Sequence, residues 1–228
     1  MKILFKSLVA AGIASTAIAT PAVAQVQGKI AAVDPAGVVL GTNAFKTAYQ
    51  QIGTTYKGQI DAIRQREQER QTLLKPLDKN GDNQIDDAEL EAAQKANTPG
   101  FQRIGQIEQE VAQMTNQVEG ARVYAIEQIL RQYGPALQEV AQQQQIQLVL
   151  SPETVVYAPP AINITPLVVT SLNAKVPSVQ IVPPQDWQPN RNAIAIFQQI
   201  QQVLVAAQMQ QQQQAAQQQP NTQAPTGR

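Results

Sequence analysis

Residues 43–63 read NAFKTAYQQIGTTYKGQIDAI, and the apolar side chains Phe45, Tyr49, Ile52, Tyr56, Ile60 and Ile63 step through that stretch by 4, 3, 4, 4 and 3. Such steps return a side chain to the same side of an α-helix, so one face stays apolar for about five turns. Between Arg64 and Arg70 the stripe gives way to Arg, Gln and Glu, and it resumes at Leu73, Leu74 and Leu77. A second series, Ile104, Ile107, Val111, Met114 and Val118, steps by 3, 4, 3 and 4 and continues through Ile126, Ile129, Tyr133, Leu137 and Val140. This is the pattern of a helix that packs along another helix. A polar connector joins the two runs, which predicts an antiparallel helical hairpin over residues 43–145 with facing seams. Gly134-Pro135 lies inside the second run. Proline removes a helix hydrogen bond there and clashes with the preceding turn, so a kink or break is expected near Tyr133.

Outside the hairpin the periodicity becomes extended. Lys29–Val33 precedes it, and Ile146–Leu150 and Thr154–Tyr157 follow it, each short and rich in β-branched residues. Asn163-Ile164-Thr165-Pro166 then supplies a cap and an early proline for one more helix. The expected fold is mainly α with a small β-rich body made from residues 28–42 and 146–180. Fifty residues are too few to bury a generous core, and short strands with open edges pair readily between copies, so the body predicts oligomerisation. After it come a Pro-rich linker and a short amphipathic helix over residues 181–207, with Ile194, Phe197, Ile200, Leu204 and Ala207 stepping by 3, 3, 4 and 3. Residues 208–228 are mostly Gln, Ala, Pro and Thr, a composition that predicts disorder.

The connector carries the sharpest motif, Asp78-Lys79-Asn80-Gly81-Asp82-Asn83-Gln84-Ile85-Asp86-Asp87-Ala88-Glu89. Its spacing is that of an EF-hand calcium (Ca2+) loop. Oxygen ligands stand at the first, third and fifth positions (Asp78, Asn80, Asp82), a backbone carbonyl is available at the seventh (Gln84), Asp86 at the ninth acts through water, and Glu89 at the twelfth is bidentate. Asn83 replaces the glycine of the sixth position, where the turn needs a positive φ that Asn reaches at modest cost. Helix lengths put the loop at the hairpin tip, with Pro76 ending the ascending helix, a short exiting helix over Asp87–Ala96 and a reversal at Asn97-Thr98-Pro99-Gly100.

Lys2 and Lys6, a small and apolar run from Ile3 to Ala19, and Pro21-Ala22-Val23-Ala24 form a secretory signal with cleavage after Ala24. Beyond it no run is long and apolar enough to cross a bilayer. The chain contains no cysteine and no histidine. Disulfides are therefore not a source of stability, and the usual general base and commonest zinc ligand are missing, which argues against an enzyme. No G-x-x-x-x-G-K phosphate loop is present. After residue 24 there are 15 basic and 17 acidic side chains, which gives no basic excess for nucleic acid.

The order of signal peptide, Lys29–Asp34 strand, long polar hairpin, Ile146–Leu150 strand, Val155–Tyr157 strand and closing Ile164–Val169 helix resembles the Skp/OmpH family of chaperones over about residues 28–176. The resemblance implies a periplasmic homotrimer with a β-rich body and helical tentacles, holding unfolded outer-membrane β-barrel proteins without nucleotide or catalysis. Candidate client-facing residues on the tentacles are Phe45, Tyr49, Ile52, Tyr56, Phe101 and Ile104, which could equally form the hairpin seam. Two departures stand out. The hairpin carries 11 basic against 14 acidic residues where the family is often basic, and residues 177–228 have no family counterpart. A calcium-responsive periplasmic adaptor or structural coiled coil is the alternative reading.

Overall fold

A computed structural model describes residues 28–217 of the chain. The proposed signal segment lies outside these residues, as does the tail from residue 218 onward. Among the described residues there are two strands, β1 (Lys29–Ala32) and β2 (Ile146–Leu150). The α-helices are α1 (Pro35–Gly41), α2 (Asn43–Thr55), α3 (Lys57–Leu74), α4 (Asp87–Ala96), α5 (Pro99–Leu130), α6 (Tyr133–Gln144), α7 (Thr165–Lys175) and α8 (Arg191–Gln217).

The ascending arm consists of α2 and α3, with a break at Tyr56, whose φ and ψ of −98° and 16° leave the helical region. It starts at Thr42, a buried residue whose hydroxyl accepts the amide of Phe45 at 3.2 Å and donates to the carbonyl of Val39 at 2.8 Å. One side chain thus closes α1 and caps α2, so its burial leaves no polar group unmet. The arm ends at Leu74, just before Pro76, as the missing donor of proline requires. The return arm begins with Thr98 as cap, its hydroxyl accepting the amide of Phe101 at 3.3 Å, and with Pro99 in the first turn. It breaks at Gln132, so Pro135 falls in the first turn of α6, where a missing N–H costs nothing.

Strands β1 and β2 run parallel, with Ala31 opposite Val149 and Ala32 opposite Leu150. Parallel strands need a long crossover, and here the whole hairpin is that crossover.

Three expectations need correction. First, within the expected mainly helical fold the body's sheet stops at two strands, and helices supply the rest of the body. Residues 35–41 form a helix in which Val38 and Val39 are fully buried, and Val155-Val156-Tyr157 form no strand. One side of β1 is taken by β2 and the other by a bridge from Ala32 to Asn163, so β1 has no place for the segment, and prolines 152, 159 and 160 flank it and disfavour a ladder. Second, the core is not confined to 50 residues. Ile126 and Ile129 of α5, Val140 of α6, Val168 and Leu172 of α7, and Ile196, Phe197 and Ile200 of α8 share one cluster with Val38 and Val39. The argument that a starved body forces assembly therefore loses its premise. Third, α8 does not stop at Ala207 but continues to Gln217, because Gln and Ala are good helix formers and the next breaker is Pro220. Of the expected disordered tail, residues 208–217 are helical and the remainder lies outside the described residues.

The Pro-rich linker lies along the hairpin root. Gln128 and Gln180 exchange two hydrogen bonds, Nε2 to carbonyl at 2.8 Å and amide to Oε1 at 3.0 Å. Trp187 donates its indole N–H to Glu127 at 3.2 Å and meets the Tyr124 ring edge-on at 5.3 Å.

Candidate functional site

The twelve-residue loop sits at the hairpin tip between α3 and α4, followed by the 87–96 helix that the spacing predicts. Asn83 takes φ of 63°, the left-handed conformation that the sixth position requires, and Gly81 takes 77°. Asp78 accepts the amides of Gly81 at 2.6 Å and Asn83 at 2.9 Å, Asn80 accepts that of Asp82 at 2.8 Å, and Asp82 accepts that of Gln84 at 2.8 Å. Glu89 reaches back across the loop. Its carboxylate takes the amides of Lys79 at 2.6 Å, Asn80 at 3.1 Å and Asp86 at 3.3 Å, and it is the one acidic side chain of the loop that is buried. Asp86 in turn accepts the amide of Glu89 at 2.8 Å, completing a capping box at the start of α4.

The loop is therefore closed, whereas mutual repulsion of its carboxylates suggests an open one. Backbone N–H dipoles supply the positive charge that the carboxylates need. Among the described residues no group of three or more acidic side chains is gathered closely enough to hold a metal ion. Asp78, Asn80, Asp82, Gln84, Asp86 and Glu89 share one loop, but side-chain oxygens of Asp78, Asn80, Asp82, Asp86 and Glu89 accept backbone amides, and a cation would have to displace some of them.

The six candidate client residues fall into two groups. At the root, Phe45 and Ile52 are buried, and Phe45 and Tyr49 stack with ring centroids 4.0 Å apart. Near the tip, Ile104 is buried and Phe101 half-buried. Phe45, Ile52 and Ile104 hold the hairpin together in the protomer, so the seam role is the one their burial supports. Tyr49 and Tyr56 are half-buried beside that seam, and burial pushes the Tyr49 phenol up to about 12. The Tyr49 hydroxyl has no hydrogen-bond partner among the described residues.

Sequence reading missed a cross-arm ion cluster. Arg103 of α5 holds Glu69 of α3 at 2.8 Å and Glu110 at 2.8 Å, and Arg66 joins Glu110 from the facing helix. Hydrogen bonds from Arg103 lower both carboxyls below their usual range. It fills the gap in the apolar stripe at residues 64–70, and that gap of mixed charge was its signal. Also missed was the exposed apolar surface of the body, where Val156 and Tyr157 stand almost wholly in solvent and Ile30 and Leu148 are half-exposed. No helix among the described residues is long and apolar enough to cross a membrane.

Comparison with known proteins gives a consistent family. The model of the family described as outer membrane protein (OmpH-like) matches residues 29–172. That family is one of chaperones rather than enzymes. A solved structure from Caulobacter crescentus, assigned provisionally as an OmpH-like outer membrane chaperone, is 23% identical, covers 79% of this chain and 100% of its own, and superposes with a TM-score of 0.38. No curated protein matches the chain.

Proposed function

The chain belongs to the OmpH-like outer membrane protein family, and on that premise we propose that it is a periplasmic holdase, acting as a homotrimer, that keeps unfolded outer-membrane β-barrel proteins from aggregating. The observation that carries this reading is the contrast in burial along the hairpin. Helix α3 buries no residue, while half-buried Tyr56, Ile60, Phe101, Val111 and Met114 lie along the arm among charged and amide side chains. Such an arm offers many weak, adaptable contacts and no deep pocket, which suits a chain without fixed structure. Holding a client requires neither nucleotide nor a catalytic group. With 11 basic and 14 acidic residues on the hairpin, contact rests on apolar and amide surface more than on charge.

Assembly follows from the body. Strand β2 leaves one edge unpaired among the described residues, and elsewhere on the body Val156 and Tyr157 stand almost wholly exposed. Pairing between copies covers both. Dilution of a urea-unfolded barrel protein into buffer with the mature chain tests the function. Suppressed light scattering that persists at high salt is the expected result, and unaltered scattering overturns it. Sedimentation as a stable monomer at micromolar concentration overturns the trimer.

A calcium-responsive tip is a second reading, favoured by the left-handed Asn83 within a helix–loop–helix of full EF-hand spacing. Asp78, Asn80, Asp82, Gln84, Asp86 and Glu89 would hold one ion with weak affinity, roughly 10⁻⁵ to 10⁻³ M. Titration calorimetry on the mature protein should show calcium heat that Glu89→Ala removes. No heat at millimolar calcium leaves the loop a self-capped turn.

A further inference from the structure

Helix α8 lies outside the matched family region, residues 29–172, and divides at Ile200. Before that point it is anchored, with Ala193, Ile196, Phe197 and Ile200 buried in the core. Beyond it Val203 and Ala206 still flank a groove with Ala36 and Pro152 of the body, while Leu204, Val205 and Met209 are 40, 48 and 57% exposed. Continuing to Gln217, this outer half is roughly 25 Å long at 1.5 Å per residue. Leu204 and Ala207 follow buried Ile200 at steps of four and three, so the stripe that seats the helix runs on past the surface that it seats on.

Charge identifies the occupant. From Asn192 to Gly227 the chain contains no Asp, Glu, Lys or Arg. A surface without charge has nothing with which to steer or orient a charged partner. It also has no repulsion against an identical copy, which a charged helix would have. Glutamine carries both an acceptor and two donors, so a face of Gln side chains is complementary to itself.

We propose that the half of α8 beyond Ile200 is a self-association surface, and that its occupant is the same helix of a second copy of this chain. Leu204, Val205 and Met209, which share one side of the helix, meet across the pair, and the Gln side chains hydrogen-bond around them. A helix pair this short covers less than the roughly 1,200 Å² of a stable interface, so the contact is weak alone and adds to any made by the body. The contact itself uses no residue of the body.

The absence of cysteine makes covalent capture clean. In the mature chain, Met209→Cys introduces a single thiol on the outer half, and Gln113→Cys places one on the exposed side of the arm as a control. Oxidation is expected to produce disulfide-linked dimer at position 209 about tenfold faster than at 113, and adding Leu204→Glu with Val205→Glu is expected to abolish that advantage. Equal rates at the two positions, or a rate indifferent to the glutamates, overturns the proposal. So does cross-linking that vanishes when a urea-unfolded barrel protein is added at equimolar ratio, since the surface is then a client site. Sedimentation equilibrium of the double-glutamate chain separates the two assembly claims. A monomeric unmodified chain that still cross-links at 209 removes the body trimer and leaves this contact standing.

Discussion

The root and the outer arm of the hairpin share α5 but are held by opposite means. At the root, α5 buries Val123, Ile126 and Ile129 in the cluster that it shares with α1, α7 and α8. In the outer arm, α3 buries nothing and is tied across by Arg103, Glu69, Glu110 and Arg66. Apolar burial contributes free energy roughly in proportion to area, whereas exposed ion pairs contribute little each. The stability of the chain therefore resides in the root, and the arm belongs to the low-stability end from which binding surfaces are drawn.

The largest effect expected from that division is a difference between two truncations. Leu172→Ala removes a fully buried side chain from α7 and should cost about 2–5 kcal/mol in urea unfolding of the mature protein. Ile63→Ala removes a half-buried one from α3 and should cost under about 1 kcal/mol. Similar losses at the two positions would erase the distinction between root and arm.

Much of this architecture is readable in the sequence, because steps of three and four report directly on helix faces and proline and Asn report directly on helix ends. The 87–96 helix, the end before Pro76 and the left-handed Asn83 follow from such local rules. What escapes is decided by distant neighbours. Pro35–Gly41 is rich in Gly and Val and reads as extended, yet it is a helix that packs on α7 and α8 and buries Val38 and Val39 in the shared core. Val155–Tyr157 has strand composition, but prolines 152, 159 and 160 hem it in and both sides of β1 are taken. For the candidate site, periodicity places Phe45 and Ile52 on one stripe and Ile104 on another but does not show whether a second helix already covers them. The loop shows the reverse case, since its spacing is legible while the use of its oxygens on amides is not.

A smaller effect, confined to the arm, comes from acid. Glu69 and Glu110 have their folded pKa values lowered by hydrogen bonds from Arg103. Their contribution is present above the unfolded carboxyl value of about 4.3 and is lost as pH falls through the lowered folded values. Amide hydrogen exchange in the arm, corrected for intrinsic rates, should therefore accelerate relative to the root as pH drops from about 5 towards 3. Arg103→Gln should abolish that acid dependence and make the arm exchange faster at neutral pH. An arm that responds to acid equally in the variant is held by something other than this cluster.

The smallest effect lies where root and arm meet, at Tyr49. Its ring packs against Phe45 and lies 5.7 Å from the Arg122 guanidinium carbon, while its hydroxyl is buried with no partner among the described residues. A buried hydroxyl without a hydrogen bond carries a desolvation penalty and returns nothing, so Tyr49→Phe should leave stability within about 0.5 kcal/mol at neutral pH or raise it by up to about 1 kcal/mol. Alkaline pH exposes the difference more clearly. Burial raises the folded phenol to about 12 from an ordinary value of 10.0. The unfolded chain therefore ionises first, and stability present below pH 10 is lost as pH rises towards 12. The wild-type chain should weaken across that window more than Tyr49→Phe, with tyrosinate absorbance marking the ionisation. A Phe variant that is less stable by more than about 1 kcal/mol would mean that the hydroxyl is satisfied, and the junction would then be held by a polar contact rather than by packing alone.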